Sequence, residues 1–202
     1  MQLSDRILTK AENLFFKYGV KSISMDDLAR QLGISKKTLY QSVENKKDLI
    51  MQVFQNHAQK EIEAVAQIRT DTVDAIDEMI GVALYVIPTL RKISPTFIYD
   101  IKKYYHDAWN LMEQYNSAEV YRMIKDNIER GKKEEVYRAE INTDIIAKLY
   151  VAKCLIIVDE ELFPLPDYNK EILLKEHMKY HIRGIATTKG LRMLDKHFKK
   201  LT

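Results

Sequence analysis

The chain has 202 residues, 46% hydrophobic and 30% charged, with only six Gly and four Pro, a globular composition that leaves little room for long loops. The opening "MQLSDRILTKAE" lacks the apolar core of a secretion signal; the most apolar run, residues 149–158, is too short to span a bilayer and contains Lys153; and Cys154, the single cysteine, cannot form an internal disulfide. A reducing cytoplasm is the expected location. The net charge of +3 lies wholly in residues 1–50, where nine Lys and Arg face six Asp and Glu, and this asymmetry favours a polyanion bound by the N-terminus.

No run alternates apolar and polar residues between turn signals, so the chain is expected to be all-α. Ile7, Leu8, Ala11, Leu14, Phe15 and Tyr18 recur at helical spacing, with Ser4 or Asp5 as cap and Gly19 as stop. Ser24 caps a second helix, "MDDLARQL", whose acids suit its first turn and which Gly33 closes. Ser35 caps a third, "KKTLYQS", and Asn45 a fourth that runs from Lys46 to about Ile68. The second and third helices, joined by a tight Gly-containing turn, form a helix-turn-helix. The third is too short to stand alone in water. Leu39 and Val43, with Ile34 before them, are expected to bury it against Leu28, Leu32 and Phe15, leaving Lys36, Lys37, Thr38, Tyr40 and Gln41 outward.

Longer helices follow. One spans about Asp71 to Lys92, with Pro88 kinking or breaking it. Ser94-Pro95 opens the next, and another covers roughly His106 to Arg130, stopping at Gly131. "KKEEVYRAEIN" reads as a connection, and Thr143 or Asp144 begins an apolar helix through Leu162. "FPLPDYN", with Pro164 and Pro166 as breakers, is a loop, and the last helix runs from about Lys170 to Lys199. The total is about nine helices.

The stretch "AENLFFKYGVKSISMDDLARQLGISKKTLYQSVENKKDL" resembles the DNA-binding domain of TetR-family transcriptional repressors. The resemblance rests on "LF..YG", "S.DDLA..LGIS" and "TLY" followed by "NKKDL", in order and without gaps, and covers about a quarter of the chain. Val43 stands where the family often has Phe, and Lys37 where a small residue is common. The resemblance implies two parts: residues 1–48 as the helix-turn-helix domain, and 49–202 as a helical domain for effector binding and dimerisation. The implied function is a homodimeric repressor that binds a palindromic operator and is released by a small molecule. The alternative is a helical protein-interaction module on the same fold that has lost sequence-specific DNA binding.

A helix fits the major groove with its first turn at the base edges. Lys36 and Lys37 occupy that turn and can approach guanine or phosphate; Gln41 can pair with an adenine edge, and Thr38 can meet a thymine methyl or a phosphate. Ser24 and Ser35 sit at helix N-termini, where free N–H groups suit phosphate. The family resemblance adds Tyr40 and Lys46 as phosphate contacts.

Residues 151–158 are apolar nearly all round, and Leu174, Met178, Ile182 and Ile185 form a stripe on the final helix. The family pairs these two helices into a four-helix bundle, so Val151, Leu155, Val158 and that stripe are the expected dimer interface. Aromatics crowd the middle helices, where family members commonly hold an effector; Tyr105, His106 and Trp109 are the expected lining. His177 and His181 have metal-ligand spacing, but no third ligand is evident and Met178 breaks the HExxH pattern, so neither a metal nor a cofactor is expected. No clustered acid, base or nucleophile marks an enzyme.

Overall fold

The computed structural model describes residues 2–164 and 167–198. They form α1 (Leu3–Tyr18), α2 (Met25–Leu32), α3 (Lys36–Tyr40), α4 (Lys46–Asp71), α5 (Ala75–Lys92), α6 (Pro95–Tyr104), α7 (His106–Tyr115), α8 (Tyr121–Lys133), α9 (Thr143–Ile156), α10 (Lys170–Ile185) and α11 (Thr188–His197). A π-helical turn, Asn116–Val120, separates α7 from α8. Among the described residues the one β-type contact is an isolated bridge between Tyr137 and Ala186, so the fold is all-α as expected. No described helix is long and apolar enough to cross a membrane.

The chain divides into two compact units that are not contiguous in sequence. The first runs up to Glu61 and adds Lys92–Gln114; the second takes Ile62–Arg91 and everything from Tyr115 onward. Helix α4 therefore contributes its first part to one unit and its last turns to the other.

The first unit is built around Ile7, Phe15, Leu28, Leu39, Leu49 and Ile50, each no more than 2% exposed. Val43 is buried with them, and Ile34 and Leu32 pack against the cluster, as their spacing predicts. Helix α6 joins this core through Phe97 and Ile101. Phe97 meets the Phe16 ring edge-on at 4.7 Å, and Ser94 N–H donates to the Phe16 carbonyl at 2.8 Å. A residue with a Cβ is not accommodated at Gly19: its φ is +82°, and an added carbon would stand 2.7 Å from the Thr96 methyl.

The core of the second unit joins α5, α8, α9, α10 and α11. Arg130 sits at its polar edge, bonded to Glu78 at 2.8 Å, Glu134 at 2.7 Å and the Thr72 carbonyl at 3.0 Å. Glu78 is 1% exposed, so this pairing is what keeps a buried carboxylate tolerable. The Tyr137 ring packs directly against Gly131, and its hydroxyl donates to Asn127 Oδ1 at 3.2 Å.

Several boundaries differ from the sequence expectation. Helix α1 starts at Leu3, and Asp5 accepts the Gln2 N–H from its first turn. Asp71 ends α4 rather than opening α5; Asp74 makes the cap, accepting from Ile76 N–H and Asp77 N–H, both at 2.9 Å. Pro88 lies inside α5 without ending it. The helix expected from His106 to Arg130 is interrupted by the π turn, and α9 stops at Ile156 rather than Leu162.

The expected final helix is two helices. At the break, Thr187 N–H donates to the Val136 carbonyl and Arg138 N–H to the Ile185 carbonyl, while the Thr187 side chain caps α11. Backbone pairing with a remote segment replaces the helical ladder there. The breaker Pro166 and the helix end at Lys199 fall outside the described residues.

Candidate nucleic-acid interface

The reading head is assembled by caps. Ser24 Oγ accepts from Asp27 N–H at 3.0 Å, and Asp27 Oδ2 accepts from Ser24 N–H at 3.1 Å, a reciprocal box at the start of α2. At its end Gly33 takes the left-handed conformation, φ +67°, which turns the chain sharply. Gly33 N–H bonds the Arg30 carbonyl and Ile34 N–H the Ala29 carbonyl, so the last carbonyls of α2 are satisfied as the chain turns into α3. Ser35 Oγ then accepts from Thr38 N–H at 3.0 Å, and Asn45 Oδ1 accepts from Asp48 N–H at 3.0 Å to start α4.

Helix α3 is only five residues long, held from below by Leu39 at 0% exposure. Its outer surface presents Ser35, Lys36, Lys37, Tyr40 and Gln41, all exposed, with Thr38 half-buried. Gln41 is the residue that ends the helix, one position past its last turn. Tyr40 is 41% exposed, a ring left in water beside lysines. Lys46, the first residue of α4, is half-buried. Its burial pulls the ammonium below the usual lysine range, against the charges of Asp100 and Asp27. The eight residues expected at DNA thus gather along α3 and the first residues of α2 and α4.

The sequence reading overlooked one partner. Lys36 Nζ pairs with Asp26 Oδ1 at 2.8 Å, and the bond to that carboxylate raises the lysine's pKa. Asp26 belongs to α2, so the acid expected to serve the helix N-terminus also reaches the next helix. It also missed Lys47, which pairs with Asp107 at 2.6 Å and ties the start of α4 to the start of α7.

Tyr105, His106 and Trp109 lie at the junction of α6 and α7. Tyr105 and Trp109 pack against the core of the first unit, and His106 is exposed. A groove of about 320 Å³ lies in the second unit, between α4, the π turn and α8, with Ile62, Val65, Ala66, Tyr115 and Met123 among its walls. No local pattern in the sequence marks it; it is a product of helix packing.

The expected dimer stripe on α10 is turned inward. Leu174, Met178, Ile182 and Ile185 are 7, 1, 0 and 2% exposed and belong to the core of the second unit, so they are not available to a partner. Val151, Leu155 and Val158 are half-buried. The apolar residues left in water are Ile145, Leu149 and Ile156 on α9 and Ile172 and Tyr180 on α10, between 42% and 69% exposed. A groove of about 590 Å³ between these helices includes Leu149, Tyr180 and Gly184.

His177 and His181 flank the Tyr150 ring at 4.9 and 4.8 Å. Burial pushes both imidazoles down, to about 4 and about 3 respectively, with Lys153 adding to the effect. Among the described residues no group of three or more metal-ligating side chains includes them.

Residues 7–53 match the family model described as bacterial regulatory proteins, tetR family. Over 168 residues the chain is 24% identical to the uncharacterized HTH-type transcriptional regulator YvaF of Bacillus subtilis, covering 81% of this chain and 84% of that one. Among solved structures, a transcriptional regulator from Cytophaga hutchinsonii superposes with a TM-score of 0.73 at 16% identity, over 91% of this chain and 98% of the other. A putative regulator from Saccharomonospora viridis, solved in complex with choline, gives 0.71 at 17% identity over 91% and 97%. Those two likenesses establish a shared fold.

Proposed function

We propose that this chain is a DNA-binding transcriptional regulator of the TetR family, acting as a homodimeric repressor of a palindromic operator and released by a small molecule. One observation carries the reading: α3 has its apolar side wholly buried at Leu39 while Lys37 and Tyr40 on it, and Gln41 at its end, are exposed. A short helix held this way has a surface that can enter the major groove. Residues 1–48 supply the reading head in this proposal, and the remainder supplies dimerisation and effector binding.

Few phosphate contacts per protomer give weak, salt-sensitive binding. Two heads joined at half-sites about 34–36 Å apart, or a multiple, overcome this. The dimer surface we favour is the exposed face of α9 and α10, where Leu149 and Tyr180 flank a groove and the exposed Gly184 has nothing within 4 Å of an added Cβ. The effector site we favour is the groove beside the π turn, since such turns often mark functional positions and its wall combines apolar side chains with Arg69 and Glu78.

The test is selection of bound duplexes from a random pool, then a salt titration on the enriched sequence. A palindrome whose affinity falls steeply with salt supports the reading. A folded protein that enriches nothing points to the protein-interaction module.

A further inference from the structure

The first unit carries a second cationic surface that the reading head does not use. It comes from two segments distant in sequence. Residues 13–25 contain Lys17 and Lys21 and no acid; residues 92–106 contain Lys92, Lys102 and Lys103 and one acid, Asp100. Asp100 is 3% exposed and accepts the Lys21 N–H at 2.7 Å, so its charge is spent inward. What faces solvent is positive, with tyrosines between the lysines. Lys21 Nζ lies 4.3 Å from the Tyr104 ring centre, and Lys103 Nζ donates to the Tyr99 hydroxyl and lies 5.5 Å from the Tyr104 ring centre. Tyr99 and Tyr104 meet edge to face at 6.2 Å and are 53% and 43% exposed.

Three links place this surface beside the DNA face. Lys21 is three residues before Ser24, the cap of α2. Lys46 feels the charges of both Asp27, in the first turn of α2, and Asp100, on α6, so it stands near both. Lys47 pairs with Asp107, which holds the start of α7 against the start of α4. The last turn of α6 therefore lies against the segment that leads into α2, and the start of α7 against the start of α4; both helix N-termini are expected at phosphates.

We propose that Lys21, Lys102 and Lys103, with Tyr99 and Tyr104, form a second DNA-backbone contact that extends the footprint beyond the base pairs read by α3. The proposal rests on the DNA-binding reading above. Lysines supply point charges to phosphate oxygens and the phenol hydroxyls supply donors, so the contact is independent of sequence. Lysines in a last helical turn also suit the helix dipole. That accounts for Lys102 and Lys103 on α6 and leaves Lys21, on another segment, unexplained.

The test uses the full chain and the palindromic duplex enriched from the random pool, made in a short form and with flanks lengthened by one helical turn on each side. Binding is followed by fluorescence anisotropy across a salt series for wild type, Lys102→Gln/Lys103→Gln and Lys21→Gln, each checked for helicity. On the long duplex the double variant is expected to bind roughly tenfold more weakly, with a salt slope shallower by about 0.9 for each phosphate that is no longer neutralised. Its sequence preference stays as in wild type. On the short duplex wild type and variant converge. Lys21→Gln gives a smaller loss of the same kind, which a dipole role for Lys102 and Lys103 does not predict. Equal affinities and slopes for wild type and both variants on the long duplex overturn the second backbone site while leaving the operator reading intact. A folded wild type that binds no duplex overturns both.

Discussion

Raising the pH should weaken the attachment of α1 to α4 through one imidazole. His57, on α4, has Nδ1 2.6 Å from Glu12 on α1 and Nε2 3.5 Å from Glu61, with the Phe16 ring edge-on at 5.6 Å. Burial alone pushes the ring toward neutrality, but the hydrogen bonds to Glu12 and Glu61 and their charges outweigh it and lift the pKa from 6.5 to about 9. The folded value lies above the unfolded one. The stabilisation is therefore complete below pH 6.5 and disappears as pH rises through 9. A shift of about 2.5 units at about 1.36 kcal/mol each corresponds to roughly 3 kcal/mol. Denaturant unfolding of wild type and His57→Gln at fixed protein concentration, from pH 6 to 10, isolates this contribution from the lysines and tyrosines that also titrate. The stability difference should shrink by about 3 kcal/mol across that range, and the His57 ring should titrate by NMR near 9. A difference that stays level with pH, or a ring midpoint near 6.5, refutes the clamp.

Other perturbations reach other parts of the chain. Leu39→Ala empties the position that anchors α3 and should cost about 2–5 kcal/mol, read as lost DNA binding together with a lower melting temperature. Unchanged melting would mean that α3 is held by something else. Tyr40→Ala and Lys46→Ala should weaken all duplexes about equally, whereas Lys37→Ala and Gln41→Ala should alter which duplex is preferred; binding measured on a panel of operator variants separates the two groups, and a reversed pattern would reassign them. Leu149→Glu, at a residue 51% exposed, should leave the fold intact and yield a monomer in sedimentation, and an intact dimer would exclude this face. Gly131→Ala drives a carbon to 2.1 Å from the Tyr137 ring and should destabilise the second unit by about 1–3 kcal/mol or more in thermal unfolding; a neutral result would show that Tyr137 moves aside freely.

The reading head was legible in the sequence because what builds it is local. Ser24, Gly33, Ser35 and Asn45 each act within a few residues of themselves, and each caps or turns the chain where its type predicts. The stripe of Leu28, Leu39 and Val43 has one place to go. The second unit was less legible because periodicity shows that a face is buried without showing what covers it. Leu174, Met178, Ile182 and Ile185 have the spacing of an interface and the spacing of a core, and only packing against α5, α8 and α9 decides between them. The break after Ile185 has no proline to announce it, since its cause is a hydrogen bond to Val136 far away in the chain. Likewise no motif links Lys21 to Asp100.

The ion pair between Lys36 and Asp26 changes what it means for the reading head to touch a phosphate. The lysine does not wait bare in solvent; it already holds an anion belonging to its own chain. Engaging DNA there is an exchange of anions, and the carboxylate released is left close to a polyanion. A random stretch of backbone offers little over the partner it displaces, while a site where neighbouring side chains also find their base edges offers more. In the proposed complex Asp26 would compete with phosphate for Lys36, and only weakly, since both side chains of the pair are exposed.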